Sequence, residues 1–271
     1  AYVEAMKQFY VKSIDKDKYL ANFTEMKEYR DVFLDHLKFV SANDHFGIIM
    51  ADEFEKLYNA LYDIHTFDPE MMSCGENDFD LFRLHVWELF VCTVTFMLHF
   101  ELYEDINELL VHTYYLRTFG LGEEKQPTSY ESFRFHSKMM EEFIKPTMEG
   151  DLPRRFTLVG HFVTSQREYM PVYSAKNIAN ADLFLYQVYN ALGLEDLTRW
   201  CAWFPTLYIY ADGNASMWKH LTSRRFCDKI MPVFGVKTID GLKEKIAKCV
   251  YDREYNYSGA WPGAASAILS W

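Results

Sequence analysis

The segment LFRLHVWELFVCTVTFMLHFELYEDINELLVHTYYLR, residues 81–117, limits the possible folds more than any other part of the chain. Bulky apolar residues occur on every side of its first half, and a polar break falls near Glu101. The pattern predicts a helical hairpin, one helix over about 79–100 and the next over about 104–116. Between Glu88 and His99 lie only the residues LFVCTVTFML, about 15 Å of helix. A membrane span needs roughly 20 apolar residues. The segment is therefore read as a core helix that other elements must cover, and no membrane is expected as a partner.

The flanking sequence supplies those covers. AYVEAMKQFYVK is amphipathic and SIDKDK breaks it. NFTEMKEYRDVFLDHLKFV sets Phe23, Met26, Tyr29, Phe33, Leu37 and Val40 at three- and four-residue steps, a helical stripe. After the turn SANDH, a second stripe follows with Phe54, Leu57, Leu61 and Ile64, and then the breaker-rich loop FDPEMMSCGENDFD. From residue 118 the texture changes. TFGLGEEKQPTSYESF reads as a surface loop, with a helix around 135–145 and a break at KPTMEGDLP. RFTLVGHFV (155–163) and TLYIYADG (206–213) are rich in β-branched and aromatic residues and read as short strands. NIANADLFLYQVYNALG reads as a helix ended by Gly193. Two further helices are expected at about 215–230 and 241–251, the second capped by Asp240. The expected fold is mainly α: a bundle-like region over 1–117, and a mostly helical region over 118–271 with one small β-sheet, which could belong to the same compact unit.

Composition narrows the function classes. Lys and Arg number 28 against 39 Asp and Glu, a formal charge of −11. Such a field repels phosphates at long range and makes nucleic acid an unexpected partner. The five cysteines (74, 92, 201, 227 and 249) form no CxxC pair, and Cys92 and Cys201 sit among apolar residues. Reduced thiols in a cytoplasm fit better than a disulfide framework. Sequons at Asn22, Asn214 and Asn256 read as accidental in that compartment. The chain opens AYVEAMKQFY, without an initiator Met, and is expected to be part of a larger protein.

Several constellations of residues could carry chemistry. His85 with Glu88 and Glu108 with His112 can each share a helical face, but folding the hairpin keeps the two pairs apart. No metal site and no cofactor is expected. Arg30, Asp31 and His36 in YRDVFLDH, and Arg154 or Arg155 with His161 in RRFTLVGH, resemble the Arg/His pair of the HEPN ribonucleases. That resemblance implies an Arg stabilising a phosphorane and a His acting as general acid or base, with no metal. Glu104, Asp105 and Glu108 in YEDINE, with Asp212, Ser216 and His220 in DGNASMWKH, resemble the two metal motifs of class I terpene synthases. The second motif has His220 in place of a carboxylate, which leaves a Mg²⁺ ligand missing.

A last feature is compositional. Aromatics make up 17% of the chain, and RWCAWFPTLYIYADGNASMW (199–218) concentrates them around a Pro. Trp200, Trp203, Tyr208, Tyr210 and Trp218 form either a wedge in the core or a recognition surface or ligand pocket, since Trp and Tyr dominate interface hot spots. No complete catalytic constellation is visible, and whether the chain is an enzyme stays open at this point. The leading expectation is a non-catalytic helical interaction or regulatory domain that binds another protein or another domain of its parent chain. The alternative is the HEPN-like ribonuclease.

Overall fold

The computed structural model describes residues 1–10, 15–63, 75–117, 124–135, 137–145, 158–194, 203–207 and 217–249, and among them are ten α-helices, short 3₁₀ segments and one two-stranded sheet. The helices are α1 (Tyr2–Met6), α2 (Lys16–Val40), α3 (Phe46–Leu61), α4 (Asp80–His99) and α5 (Tyr103–Val111), followed by strands β1 (Tyr114–Arg117) and β2 (Lys125–Thr128). Then come α6 (Lys138–Ile144), α7 (Leu158–Gln166), α8 (Ala175–Leu192), α9 (Arg224–Ile230) and α10 (Ile239–Ala247). The mainly α architecture is the one the sequence predicts.

Helix α4 is the axis of the fold. Seventeen of its 20 residues are buried, as an all-round apolar helix requires. Its two threonines donate to carbonyls one turn back, Thr93 to Leu89 at 2.9 Å and Thr95 to Val91 at 2.8 Å, so neither hydroxyl needs an outside partner. Phe90 sits at the centre of an aromatic cluster, with ring centroids 5.0 Å from both Phe54 and Phe133 and 5.8 Å from Trp203. Helices α2 and α3 cover one side of α4 and α8 covers another, so elements from both halves of the chain share one core. Among the described residues one helix, Asn77–His99, is long and apolar enough to cross a membrane, and 89% of its most apolar window lies inside the protein.

Local chemistry fixes the ends of the elements. Asp15 starts α2 by accepting from the Lys18 amide at 3.0 Å. The α4–α5 hairpin turns through Glu101, whose φ is +56°. Gly193, at φ +75°, closes α8 in the left-handed conformation expected of it. Helix α3 comes so close to α5 that a Cβ on Gly47 would sit 2.2 Å from the Asp105 carbonyl oxygen.

Several elements differ from the sequence reading. The helix expected to run to 116 ends at Val111, and Tyr114–Arg117 is a strand instead. Side chains of α3 hold its backbone there: Asn59 bonds the Tyr115 carbonyl and the Arg117 amide, and Glu55 accepts from the Tyr115 amide. The small sheet thus pairs Tyr114–Arg117 antiparallel with Lys125–Thr128, inside a stretch read as loop. Residues 158–163, read as strand, belong to α7, which buries Val159, Gly160, Phe162 and Val163 on one face and sets Phe162 5.4 Å from Phe23. Tertiary packing there overrides the β preference of Val and Thr. In the other expected strand Thr206 and Leu207 lie in a turn, and 208–213 fall outside the described residues. Near the C-terminus, Ser223 is extended and divides the expected helix into a 3₁₀ segment (Met217–Thr222) and α9. The cap of α10 is Thr238, whose hydroxyl accepts from the Gly241 amide at 3.1 Å, with Asp240 in the first turn.

Candidate functional site: an apolar groove, a polar cleft and a buried charge cluster

The Glu88 side chain is 1% exposed in a helix with almost no other charge, and burial on that scale demands a cation. Two guanidinium groups supply it. Arg30 of α2 places Nη1 3.2 Å from Oε1, and Arg167, just past α7, places Nη1 3.2 Å from Oε2. The Tyr169 hydroxyl donates to Oε1 at 3.1 Å. Arg30 also bonds Asp31 and the Glu168 carbonyl, and its guanidinium lies 4.5 Å over the Tyr169 ring. Arg167 bonds the Phe23 carbonyl and stacks 3.9 Å over the Phe23 ring. Next to this cluster the Tyr2 hydroxyl and His85 Nε2 are 2.6 Å apart. Burial, and then the charges of Arg167 and Arg30, push His85 down to about 3, so its ring is neutral. Every charge here has an internal partner, and the cluster ties α2, α4 and the segment after α7 together.

These positions bear directly on the candidate chemistry. Arg30 is 1% exposed and held in the core, whereas His36 is exposed on another face of α2, so the structure does not bring the two together. Arg154 and Arg155 lie outside the described residues. Asp105 accepts from the Gly47 amide at 3.0 Å and Glu108 pairs with His45 Nδ1 at 3.2 Å, so both carboxylates fasten α5 to the start of α3. Asp212 and Ser216 are outside the described residues. No group of three or more His, Cys, Asp or Glu able to hold a metal ion occurs among the described residues. Asn22 is buried and donates to the Phe9 carbonyl, which removes that sequon from solvent.

Of the aromatic segment, Trp203 and Trp218 are each 1% exposed. Trp203 Nε1 donates to Asp182 at 2.7 Å, and the Leu207 amide donates to the other oxygen of the same carboxylate. Burial pushes Asp182 up to about 7, against the pull of those donors. Trp218 Nε1 donates to Gln187 Oε1 at 2.7 Å. Both rings are buried against α8, and Trp218 also lines the cleft described below. Trp200, Tyr208 and Tyr210 lie outside the described residues.

Two concavities stand out among the described residues. One is an apolar groove of about 580 Å³ between α2 and α3, lined by Val32, Phe33, Val40, Ile49 and Leu57 and bounded at α1 by Tyr2. Val32 is 66% exposed, and Phe39, seven residues on along the same face of α2, is 75% exposed. The polar residues of the groove are His36, Glu53 and Lys56, the last two paired at 2.9 Å. The other is a polar cleft of about 380 Å³ where the α4–α5 turn, α8 and the Met217–Ile230 region meet.

Sequence reasoning missed the groove and the charge cluster. A signal for the cluster was present: Phe23, Met26, Arg30, Leu34 and Leu37 form the buried stripe of α2, so Arg30 stands in the middle of an apolar face. Comparison with known protein families, with characterised proteins and with solved structures finds no match, so side-chain chemistry and geometry carry the functional reading.

Proposed function

We propose that this chain is a helical interaction domain that receives an amphipathic helix from another protein in the groove between α2 and α3. The observation that carries this is the groove itself, an open apolar surface lined by the exposed Val32, with Phe39 exposed seven residues on along α2. Exposed apolar patches of this kind on a protein surface mark interaction sites. The lining of α3 from Ile49 to Ala60 spans about 16 Å, which matches about three turns of a docked helix. Three turns suffice to present anchors at i, i+4 and i+7, the helix-in-groove mode of recognition. The chain's formal charge of −11 favours a partner helix of net positive charge by long-range steering. A further domain of the parent chain would meet the same groove by the same rules. A reducing cytoplasm as its setting is supported by the buried free thiols of Cys92, Cys227 and Cys249.

The test uses two synthetic peptides of identical composition, one with leucines at helical spacing among lysines and one scrambled. Fluorescence anisotropy is expected to show saturable binding of the patterned peptide, at least about tenfold tighter than the scrambled one. Val32→Asp, at an exposed site, is expected to remove that preference with the fold intact. Equal affinity for both peptides, or indifference to Val32→Asp, would overturn the reading.

A further inference from the structure

We infer that the cleft between the α4–α5 turn, α8 and α9 is a binding site for an uncharged nucleoside. The inference is independent of the groove and rests on how the cleft's polar atoms are oriented.

Helix α8 is buried almost throughout, yet Asn177, Asn180, Phe184 and Gln187, at spacings of three to four, turn one face into this cleft. Gln187 is the buried amide of this face, and a buried amide is costly unless something bonds to it. Gln187 is 3% exposed, and its orientation is chemically determined. Trp218 Nε1 can only donate, so the amide oxygen must face it, at 2.7 Å. The two Nε2 N–H donors of Gln187, a residue that lines the cleft, therefore face away from the indole, and no described residue accepts from them. Across the cleft, Tyr103 is 8% exposed, and its hydroxyl has no partner among the described residues. Burial, then the neighbouring Glu101, push Tyr103 up to about 12, so it remains a donor at neutral pH. Asn177 uses its Nδ2 on the Val172 carbonyl at 2.9 Å, which leaves its Oδ1 as an acceptor.

A preset pair of donors with an acceptor suits the hydrogen-bonding edge of a nucleobase. The half-buried Phe226 ring, held edge-on to Tyr103 at 6.5 Å and packed 5.3 Å from His220, supplies a wall for stacking. At the mouth, Glu101 is paired with Lys229, and a carboxylate there accepts from sugar hydroxyls. The chain's charge of −11 acts against phosphates at long range, so the nucleoside is favoured over the nucleotide. A volume of about 380 Å³ lies within the range of small-ligand sites.

The experiment titrates the full chain with adenosine and with guanosine, followed by calorimetry and intrinsic tryptophan fluorescence. Saturable one-site binding of at least one of them, with Kd below about 1 mM, is expected. Tyr103→Phe, which removes one hydroxyl, and Phe226→Ala, at a half-buried ring, are each expected to weaken it at least about tenfold while circular dichroism is unchanged. Val32→Asp, in the groove, should leave it unaltered. No saturable signal from either nucleoside up to about 5 mM, tighter binding of the corresponding monophosphate or of glucose, or binding indifferent to both variants would each overturn the assignment.

Discussion

Arg30 and Glu88 meet inside the protein, guanidinium Nη1 to carboxylate Oε1 at 3.2 Å, each side chain 1% exposed. The pair joins α2 to the central helix and recruits Arg167 to the second carboxylate oxygen. Removing one member of a buried ion cluster strands the others without compensation, at a typical loss of ~3–5 kcal/mol, whereas replacing the whole set with apolar side chains is often neutral or stabilising. Glu88→Gln should therefore lower stability by about 3–5 kcal/mol in urea unfolding. The combined variant Arg30→Met, Glu88→Leu, Arg167→Met should regain most of that loss. A single variant as stable as the parent would show that the cluster is not closed as described.

Glycine at 47 is a packing requirement. Within a helix, Gly→Ala ordinarily gains close to 1 kcal/mol. Here the added methyl would meet the Asp105 carbonyl oxygen at 2.2 Å and push α3 off α5. Gly47→Ala is expected to reverse the usual sign and destabilise by about 1–3 kcal/mol, read as a lowered Tm.

The buried His85 and Asp182 give opposite pH dependences. His85 is held neutral in the fold, down to about 3, while an unfolded His titrates near ~6.5. The unfolded state takes up that proton first, so this contribution is present above pH ~6.5 and is lost as pH falls toward 3. Asp182 is raised to about 7, above the unfolded value of ~3.9. The folded state binds that proton more tightly, so its contribution is present below pH ~4 and is lost as pH rises through about 7. Between pH ~4 and ~6.5 the two slopes oppose each other. Relative to the parent, Asp182→Asn should make stability fall more steeply on acidification through that window, and His85→Leu should make it fall more steeply as pH rises. Each difference should approach 1.4 kcal/mol per pH unit at most. Unfolding curves for the three proteins at several pH values check this, and parallel curves would contradict both assignments.

Phe90 tests the position of the core. It is fully buried and touches the rings of Phe54, Phe133 and Trp203. Phe90→Ala should cost about 3–5 kcal/mol. A loss under roughly 1 kcal/mol would mean that the centre of the fold lies elsewhere.

What the sequence made legible follows from periodicity. An apolar run with no polar face announced α4 as a buried helix, and Gly193 announced the end of α8. The helical stripe of α2 was legible too, but offset: Tyr29, Phe33 and Val40 are only partly buried, while Arg30 and Leu34 take the inner face. The offset arises because the inner face carries an arginine, and an arginine reads as solvent-facing until its carboxylate partner, 58 residues away, is known. Strand β1 was illegible for a similar reason, since the groups that satisfy its backbone come from Glu55 and Asn59 on α3. The groove was hidden because Val32 and Ile49 look like ordinary core residues, and only the fold leaves them uncovered. The amide face of α8 was hidden as well, because its meaning depends on which indole orients Gln187.

The groove is tested most directly by mapping where a helix binds. A patterned basic helical peptide carrying one benzophenone in place of a leucine would be photo-crosslinked to the chain and the adducts located by mass spectrometry. The expected adducts fall on 32–40 of α2 and 49–60 of α3, and disappear with Val32→Asp. Adducts spread over the surface, or concentrated on α8 to α10, would contradict the groove as the docking site.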